Sequence, residues 1–294
     1  MNKYLIVDGN AVLHRAYYAL PDWRNRSGEA TAGVYGFLSM LLKTIDELEP
    51  THLIIVFDTP EPTFRHSMYV GYQHNREKER QVSEDIWGQV EKLKVVFEKM
   101  GVPVFAVAGF EADDVIGTIA TKFSLEGEVI IITGDKDLMQ LVNEKVKLFM
   151  PQKGLSDGIL IDQEKVLKKL GVLPEQVTDY KALVGDSSDN YPGIPGIGPK
   201  TAIKLIEEFG SFEKIYENLK VTNKKLIDGY ESGELSKRLA TIKCDVPVSV
   251  DSVICAMPKR DKMLEVFKEL GYKSLINRAG GNMEAKNDKQ GELF

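Results

Sequence analysis

Three short, β-branched apolar runs in this chain each lead into an aspartate. YLIVD ends at Asp8, LIIVFD at Asp58 and VIIITGD at Asp135. Runs of this length and content suit strands buried on both faces, as in a parallel sheet. With PVFAV, the expected strands are residues 4–7, 53–57, 103–107 and 128–132. Apolar residues at helical spacing lie between them: Val34, Phe37, Leu38, Leu41, Leu42, Ile45 and Leu48, then Val90, Leu93, Val96 and Phe97, then Ile116, Ile119, Ala120 and Phe123. Alternating strands and helices predict an α/β fold with a mostly parallel central sheet. In such a sheet, sites form at the carboxyl ends of the strands. One strand-end aspartate is ordinarily a turn former or helix cap. Three of them aim carboxylates at one edge.

Beyond about residue 160 the strand signals fade. Helices are expected at 162–170, 174–184, 199–209, 211–219, 234–242 and 261–270. The 294 residues thus divide into an α/β domain (1–160), a helical region (161–275) and a flexible polar tail (276–294). No apolar run reaches membrane-spanning length, and MNKYLIVDGN lacks the core of a signal peptide. Cys244 and Cys255 have no metal-ligand spacing and fit a reducing cytoplasm. The four histidines are scattered, which speaks against a histidine-rich zinc site. The net charge of -6 opposes a nucleic-acid partner only if the acids stay bare. Footprints on nucleic acid are local, and bound cations cancel charge.

More acids follow the first three. GFEADD places Glu111, Asp113 and Asp114 at a helix start, where the helix dipole stabilises them. TGDKD adds Asp137, and GDSSDN adds Asp186 and Asp189, spaced to share a helix face. These nine carboxylates, brought to one place, would repel each other strongly unless cations neutralised them. Oxygen-only ligands select magnesium or manganese, and so many acids imply more than one ion. Metal pairs roughly 4 Å apart suit phosphodiester hydrolysis. There is no G-x-x-x-x-G-K-[ST] loop for a P-loop NTPase. VDGNAV also lacks the second acid that a haloacid-dehalogenase-like phosphatase needs at Asp8.

GIPGIGPKTA predicts a helix-hairpin-helix over about 185–210. Gly193, Gly196 and Gly198 let backbone approach a partner. Pro199 suits the first helical position, leaving N–H groups for a phosphate, with Lys200 and Lys204 nearby. The connection 61–83 carries Arg65, Arg76, Lys78 and Arg80, with Tyr69 and Tyr72 as candidate base-stacking platforms. A solvated mixed-charge helix is the competing reading, since Glu77 and Glu79 offset the charge.

In their order, VDGN, FD, FEADD, TGDKD, GDSSDN and GIPGIGPKTA resemble the 5′ nuclease (flap endonuclease) family over roughly residues 3 to 275. The likeness is in particular to the 5′→3′ exonuclease domain of bacterial DNA polymerase I and its free-standing relatives. It implies a PIN/5′-nuclease-like fold and a two-metal, Mg2+ or Mn2+, structure-specific 5′→3′ exonuclease and flap endonuclease of primer removal, replication and repair. Asp8, Asp58, Glu111, Asp113 and Asp114 match acids nearer the first metal, and Asp135, Asp137, Asp186 and Asp189 those serving the second. The likeness further implies K+ at carbonyls of the helix-hairpin-helix, and an arch over 61–83 that passes the 5′ strand. In the arch the family reads Y-K-x-x-R where this chain reads Y-Q-H-N-R. Arg76 matches, but Gln73 replaces the lysine that faces the scissile phosphate. The expected catalytic residues are therefore Asp8, Asp58, Arg76 and Gln73, with weakened catalysis or help from His74 or Lys78. The end QGELF resembles a sliding-clamp-binding peptide through Gln290, Leu293 and Phe294. The alternative is a weakly catalytic DNA-structure-binding protein recruited to the clamp; a PIN-type ribonuclease is a further rival.

Overall fold

The computed structural model describes residues 1–25, 28–74, 80–152, 158–218 and 223–280, with the side chains of 80–83 outside the description. Arg76, Lys78, Gln290, Leu293 and Phe294 lie outside the described residues, as does the side chain of Arg80.

β1 (Asn2–Asp8) is the central strand, paired in parallel with β2 (His52–Val56) on one side and β4 (Gly127–Ile132) on the other. β3 (Val104–Phe105) extends the sheet beyond β2, and β5 (Val146–Pro151) beyond β4. β6 (Gly158–Ile161) closes the far edge antiparallel to β5. The order is β3-β2-β1-β4-β5-β6. The chain builds outward from β1 in one direction, then returns to build in the other. The β1/β4 boundary is therefore the switch point of the sheet, where a crevice opens at the strands' carboxyl ends. β5 and β6 were not among the expected strands. Lys147 interrupts the apolar run of β5, and β6 has four residues.

Alternation along β1 divides the core. Tyr4 and Ile6 face α5 (Ala112–Ser124), while Leu5 and Val7 face α1 (Gly9–Ala19), α2 (Ala32–Leu48) and α4 (Arg80–Met100). α3 (Phe64–Met68) lies in the connection after β2. α6 (Gln163–Leu170), α7 (Val177–Val184), α8 (Pro199–Phe209), α9 (Phe212–Asn218) and α10 (Lys224–Ala240) follow the sheet. Their apolar residues Leu183, Ala202, Ile206 and Leu226 belong to the same buried cluster as Tyr4 and Ile6. α11 (Arg260–Glu269) and α12 (Lys273–Arg278) return to the opposite face through Met263, Phe267 and Leu275.

Candidate active site

Each strand-end acid is fixed by a backbone or side-chain donor at the carboxyl edge. Asp8 caps α1, its Oδ1 accepting from Ala11 N at 3.0 Å. Its Oδ2 accepts from Thr133 Oγ1 at 2.7 Å. Thr133 follows β4, and its Oγ1 also accepts from Asp135 N at 2.9 Å, so one hydroxyl ties together the acids of two strands. Asp58 lies just past β2, its N–H donating to Asn10 Oδ1 at 2.8 Å. Its Oδ1 accepts from Ala112 N at 2.7 Å, at the start of α5, where the helix dipole favours a negative charge. Asp137 N donates to Asp135 Oδ1 at 2.8 Å.

The acids lie close enough to shift one another. Burial pushes Asp8 up to about 7 against the hydrogen bonds from Ala11 and Thr133, and Asp58 and Asp135 add to the rise. Burial pushes Glu111 up to about 7, where the Arg65 guanidinium opposes it and Asp58, Asp114 and Asp189 reinforce it. Asp113 is raised by burial and then by Asp135, Asp8, Glu111 and Asp58. Burial and Asp135 lift Asp137 to about 6, with Lys181 pulling the other way. Among the described residues, no three of these side chains close around a point as ligands around an ion do.

Asp186 and Asp189 do not share a helix face as expected. They sit in the turn after α7, where Asp186 Oδ1 accepts from Ser188 N at 2.7 Å and Asp189 N at 3.3 Å. Lys181 on α7 lies between the two halves of the group, with its ammonium 2.6 Å from Asp137 Oδ1 and also bonded to Asp186 Oδ2. Burial raises Asp186, but Lys181 and Ser188 outweigh it and hold the carboxyl below its usual range. Lys181, Thr133 and Asn10 were missed in the sequence. The available signal for Lys181 was its place on a helix, five residues before Asp186.

Four expected site residues have other work. Asp114 is fully buried in a two-pronged pair with Arg65, at 2.7 and 2.8 Å, and also accepts from Lys243 N at 2.8 Å and Glu111 N at 3.2 Å. Its acceptor sites are taken, which corrects its expected part as a metal ligand. Arg65 is equally buried; it donates to Leu239 O at 2.8 Å and Thr241 O at 2.9 Å and lies 3.3 Å from Glu111 Oε2. It is no DNA contact but a tie from α3 to α5 and the end of α10. Tyr72 is 4% exposed, and its hydroxyl donates to Glu111 Oε2 at 3.1 Å, so no base can stack on it. Gly193 is buried, and a Cβ there would come within 2.2 Å of Gly185 N. Its glycine serves this contact within the chain; Gly193 N donates to Ser236 Oγ and Gly193 O accepts from Ser232 Oγ.

Other expected residues remain at the surface. Gly196, Gly198, Lys200 and Lys204 are exposed around the start of α8, and Tyr69 is half-buried. Gln73 lies against the acids: its N–H donates to Asp189 O at 3.0 Å, and its amide nitrogen is 3.4 Å from both Asp189 Oδ1 and the Tyr72 hydroxyl.

The sheet with its acidic switch-point edge, followed by a helical region, defines a two-part α/β class. Residues 3–171 match the 5′-3′ exonuclease N-terminal resolvase-like domain, and residues 172–263 match the 5′-3′ exonuclease C-terminal SAM fold. The chain belongs to the 5′-3′ exonuclease family. It is 39% identical to a 5′-3′ exonuclease of Bacillus subtilis, over 84% of this chain and 86% of that protein. It is 38% identical to Bacillus subtilis DNA polymerase I over 98% of this chain, and spans 33% of that polymerase's length. The bacteriophage T5 5′-exonuclease with bound zinc ions shares the fold, with a TM-score of 0.67, 24% identity, and coverage of 95% of this chain and 97% of that one. The catalytic core of Rad2 in complex with DNA substrate shares it at a TM-score of 0.58 and 18% identity, over 94% and 93% of the two chains.

Proposed function

We propose that this chain is a divalent-metal-dependent, structure-specific 5′→3′ exonuclease and flap endonuclease that hydrolyses DNA phosphodiester bonds. One observation carries the reading: Asp8, Asp58 and Asp135, from the ends of three neighbouring parallel strands, lie within electrostatic reach at one sheet edge. Gathering like charges there costs stability unless cations join them. The donors fit hard ions, Mg2+ or Mn2+. The raised carboxyl groups and the Lys181 ammonium bridging Asp137 and Asp186 both mark a place that takes positive charge.

In this reading Asp8, Asp58, Glu111 and Asp113 hold one cation, and Asp135, Asp137, Asp186 and Asp189 a second. When bound, the pair supplies positive charge at the scissile phosphate and lowers the pKa of the attacking water. The chain's residues hold and orient. Thr133 fixes Asp8 relative to Asp135, and the first turn of α5 fixes Asp58. Gly196, Gly198 and the N-terminus of α8, with Lys200 and Lys204, grip the duplex backbone. Tyr69, Arg76, Lys78 and Arg80 receive the 5′ strand. Carbonyls of the helix-hairpin-helix loop hold a K+ ion in the same reading. Flap and primer removal in replication and repair, in the cytoplasm, suits such an activity. Gln290, Leu293 and Phe294 dock on the sliding clamp; deleting residues 290–294 abolishes clamp binding and spares cleavage. Equal clamp affinity without the tail refutes the docking.

The neutral Gln73 beside Asp189 favours a second reading, a DNA-structure binder with weak catalysis. Cleavage of an end-labelled 5′-flap duplex, with Mg2+ and with chelator, decides between them. Magnesium-dependent cutting near the junction supports the nuclease. Tight binding without cutting supports the binder, and cutting of single-stranded RNA alone would indicate a ribonuclease.

A further inference from the structure

The turn between α7 and α8 holds one polar group that the fold leaves unexplained. Tyr191 is 3% exposed, and among the described residues its hydroxyl is buried without a hydrogen-bond partner. An unpaired buried hydroxyl is costly, and folded proteins seldom keep one without a use. The ring packs with Tyr72, Leu239 and Ala240, work that a phenylalanine would do equally well. The hydroxyl is the part that needs a reason.

Backbone pairing says where it points. Asp186 and Tyr191 form an isolated antiparallel bridge, with Asp186 N donating to Tyr191 O at 2.8 Å and Tyr191 N to Asp186 O at 3.0 Å. Residues directly opposed in an antiparallel pair put their side chains on the same face. The ring therefore leaves the backbone on the side of the Asp186 carboxylate. A hydroxyl that can donate and accept thus leaves the turn on the side of the Asp186 carboxylate and, among the described residues, is bonded to none.

We propose that Tyr191 is a positioning residue for a hydrated divalent cation held by Asp137, Asp186 and Asp189, its hydroxyl oxygen accepting a hydrogen bond from the hydration water. The proposal rests on the reading that these acids hold cations. Magnesium dehydrates reluctantly and keeps several waters, so a subsite of few carboxylates needs partners for that water as well as for the ion. The sequence stretch DNYPG presents such a partner directly opposite the first acid of the subsite.

Tyr191→Phe keeps the ring and removes only the hydroxyl. The full chain is compared with this variant by Mn2+ titration, counting free ion by electron paramagnetic resonance, and by thermal unfolding in chelator and in Mn2+. The proposal expects Tm in chelator to be equal or higher in the variant, because an unpaired buried hydroxyl is gone. It expects Mn2+ affinity at one class of site to fall about tenfold, with a smaller Mn2+-induced rise in Tm. Equal Mn2+ affinity in the two proteins overturns the part given to Tyr191 and leaves the metal reading standing. Absence of Mn2+ binding to the wild-type chain overturns both.

Discussion

Gln73 is one of three non-glycine residues among those described with a positive φ, at 53°, and its backbone and amide both address Asp189. It can orient an acid but adds no positive charge. Gln73→Lys should raise the single-turnover cleavage rate on the order of tenfold, by placing an ammonium where charge develops on the phosphate. An unchanged rate in a folded variant would show that this position does not limit the chemistry. The acids themselves make a separate prediction. Asp8 and Glu111 keep their protons to about pH 7 and Asp137 to about 6, against roughly 4 in an unfolded chain. Between those limits the fold binds protons that the unfolded chain has lost, so stability falls as pH rises. Asp186, shifted down, acts only below that window. In chelator, Tm at pH 8 should lie below Tm at pH 5.5, and Mg2+ should raise Tm more at pH 8. A chelated protein more stable at pH 8 contradicts this account of the acids. The strand-end position of Asp8, Asp58 and Asp135 was legible because β-branched runs and a following acid are local patterns. The work of Asp114, Lys181 and Tyr191 was not, because partners 49, 44 and 5 residues away decide it.

Among the elements, α3 and the segment after it are tied to both halves of the molecule. Arg65 joins α5 to the last carbonyls of α10, while Asn190 Nδ2 donates to Gly71 O at 2.6 Å. Arg65→Leu leaves the Asp114 carboxylate buried without its cation and should cost about 3–5 kcal/mol, read as a lower urea midpoint. Adding Asp114→Leu should recover only part of the loss, because the lone buried charge is gone but Lys243 N and Glu111 N are left without their acceptor. If the single variant is as stable as wild type, the pair has no such role. α8 was expected at 199–209 and occupies Pro199–Phe209, because Pro199 opens it and Gly210 closes it. Residues 103–107 yield only β3 at Val104–Phe105. An edge strand needs one partner, and alternation in sequence does not say how far that pairing extends. The glycines of GIPGIG signalled close approach, yet sequence could not distinguish chain from ligand: Gly193 meets Gly185, while among the described residues nothing lies within 4 Å of a Cβ on Gly198.

For the whole molecule, the sheet edge and the α7–α8 loop share one core cluster, from Ile6 through Val115 to Ala202 and Ile206. The α7–α8 loop, proposed to grip a duplex backbone, is thereby packed on the same core as the carboxylate edge. The change from strand to helical spacing near residue 160 is a local pattern in the sequence, but the shared core and the return of α11 and α12 to the opposite face are not. Packing between distant segments leaves no period in sequence. The central claim is that the carboxylates cut what the loop grips. Single-turnover cleavage of a 5′-flap duplex by the wild-type chain and Asp135→Asn, with affinity for the same DNA measured alongside, tests it most directly. The account predicts Mg2+-dependent cutting by the wild type, lost at least about a hundredfold in Asp135→Asn, with DNA affinity kept. Equal cutting by both proteins, or tight binding without cutting by the wild type, would contradict it.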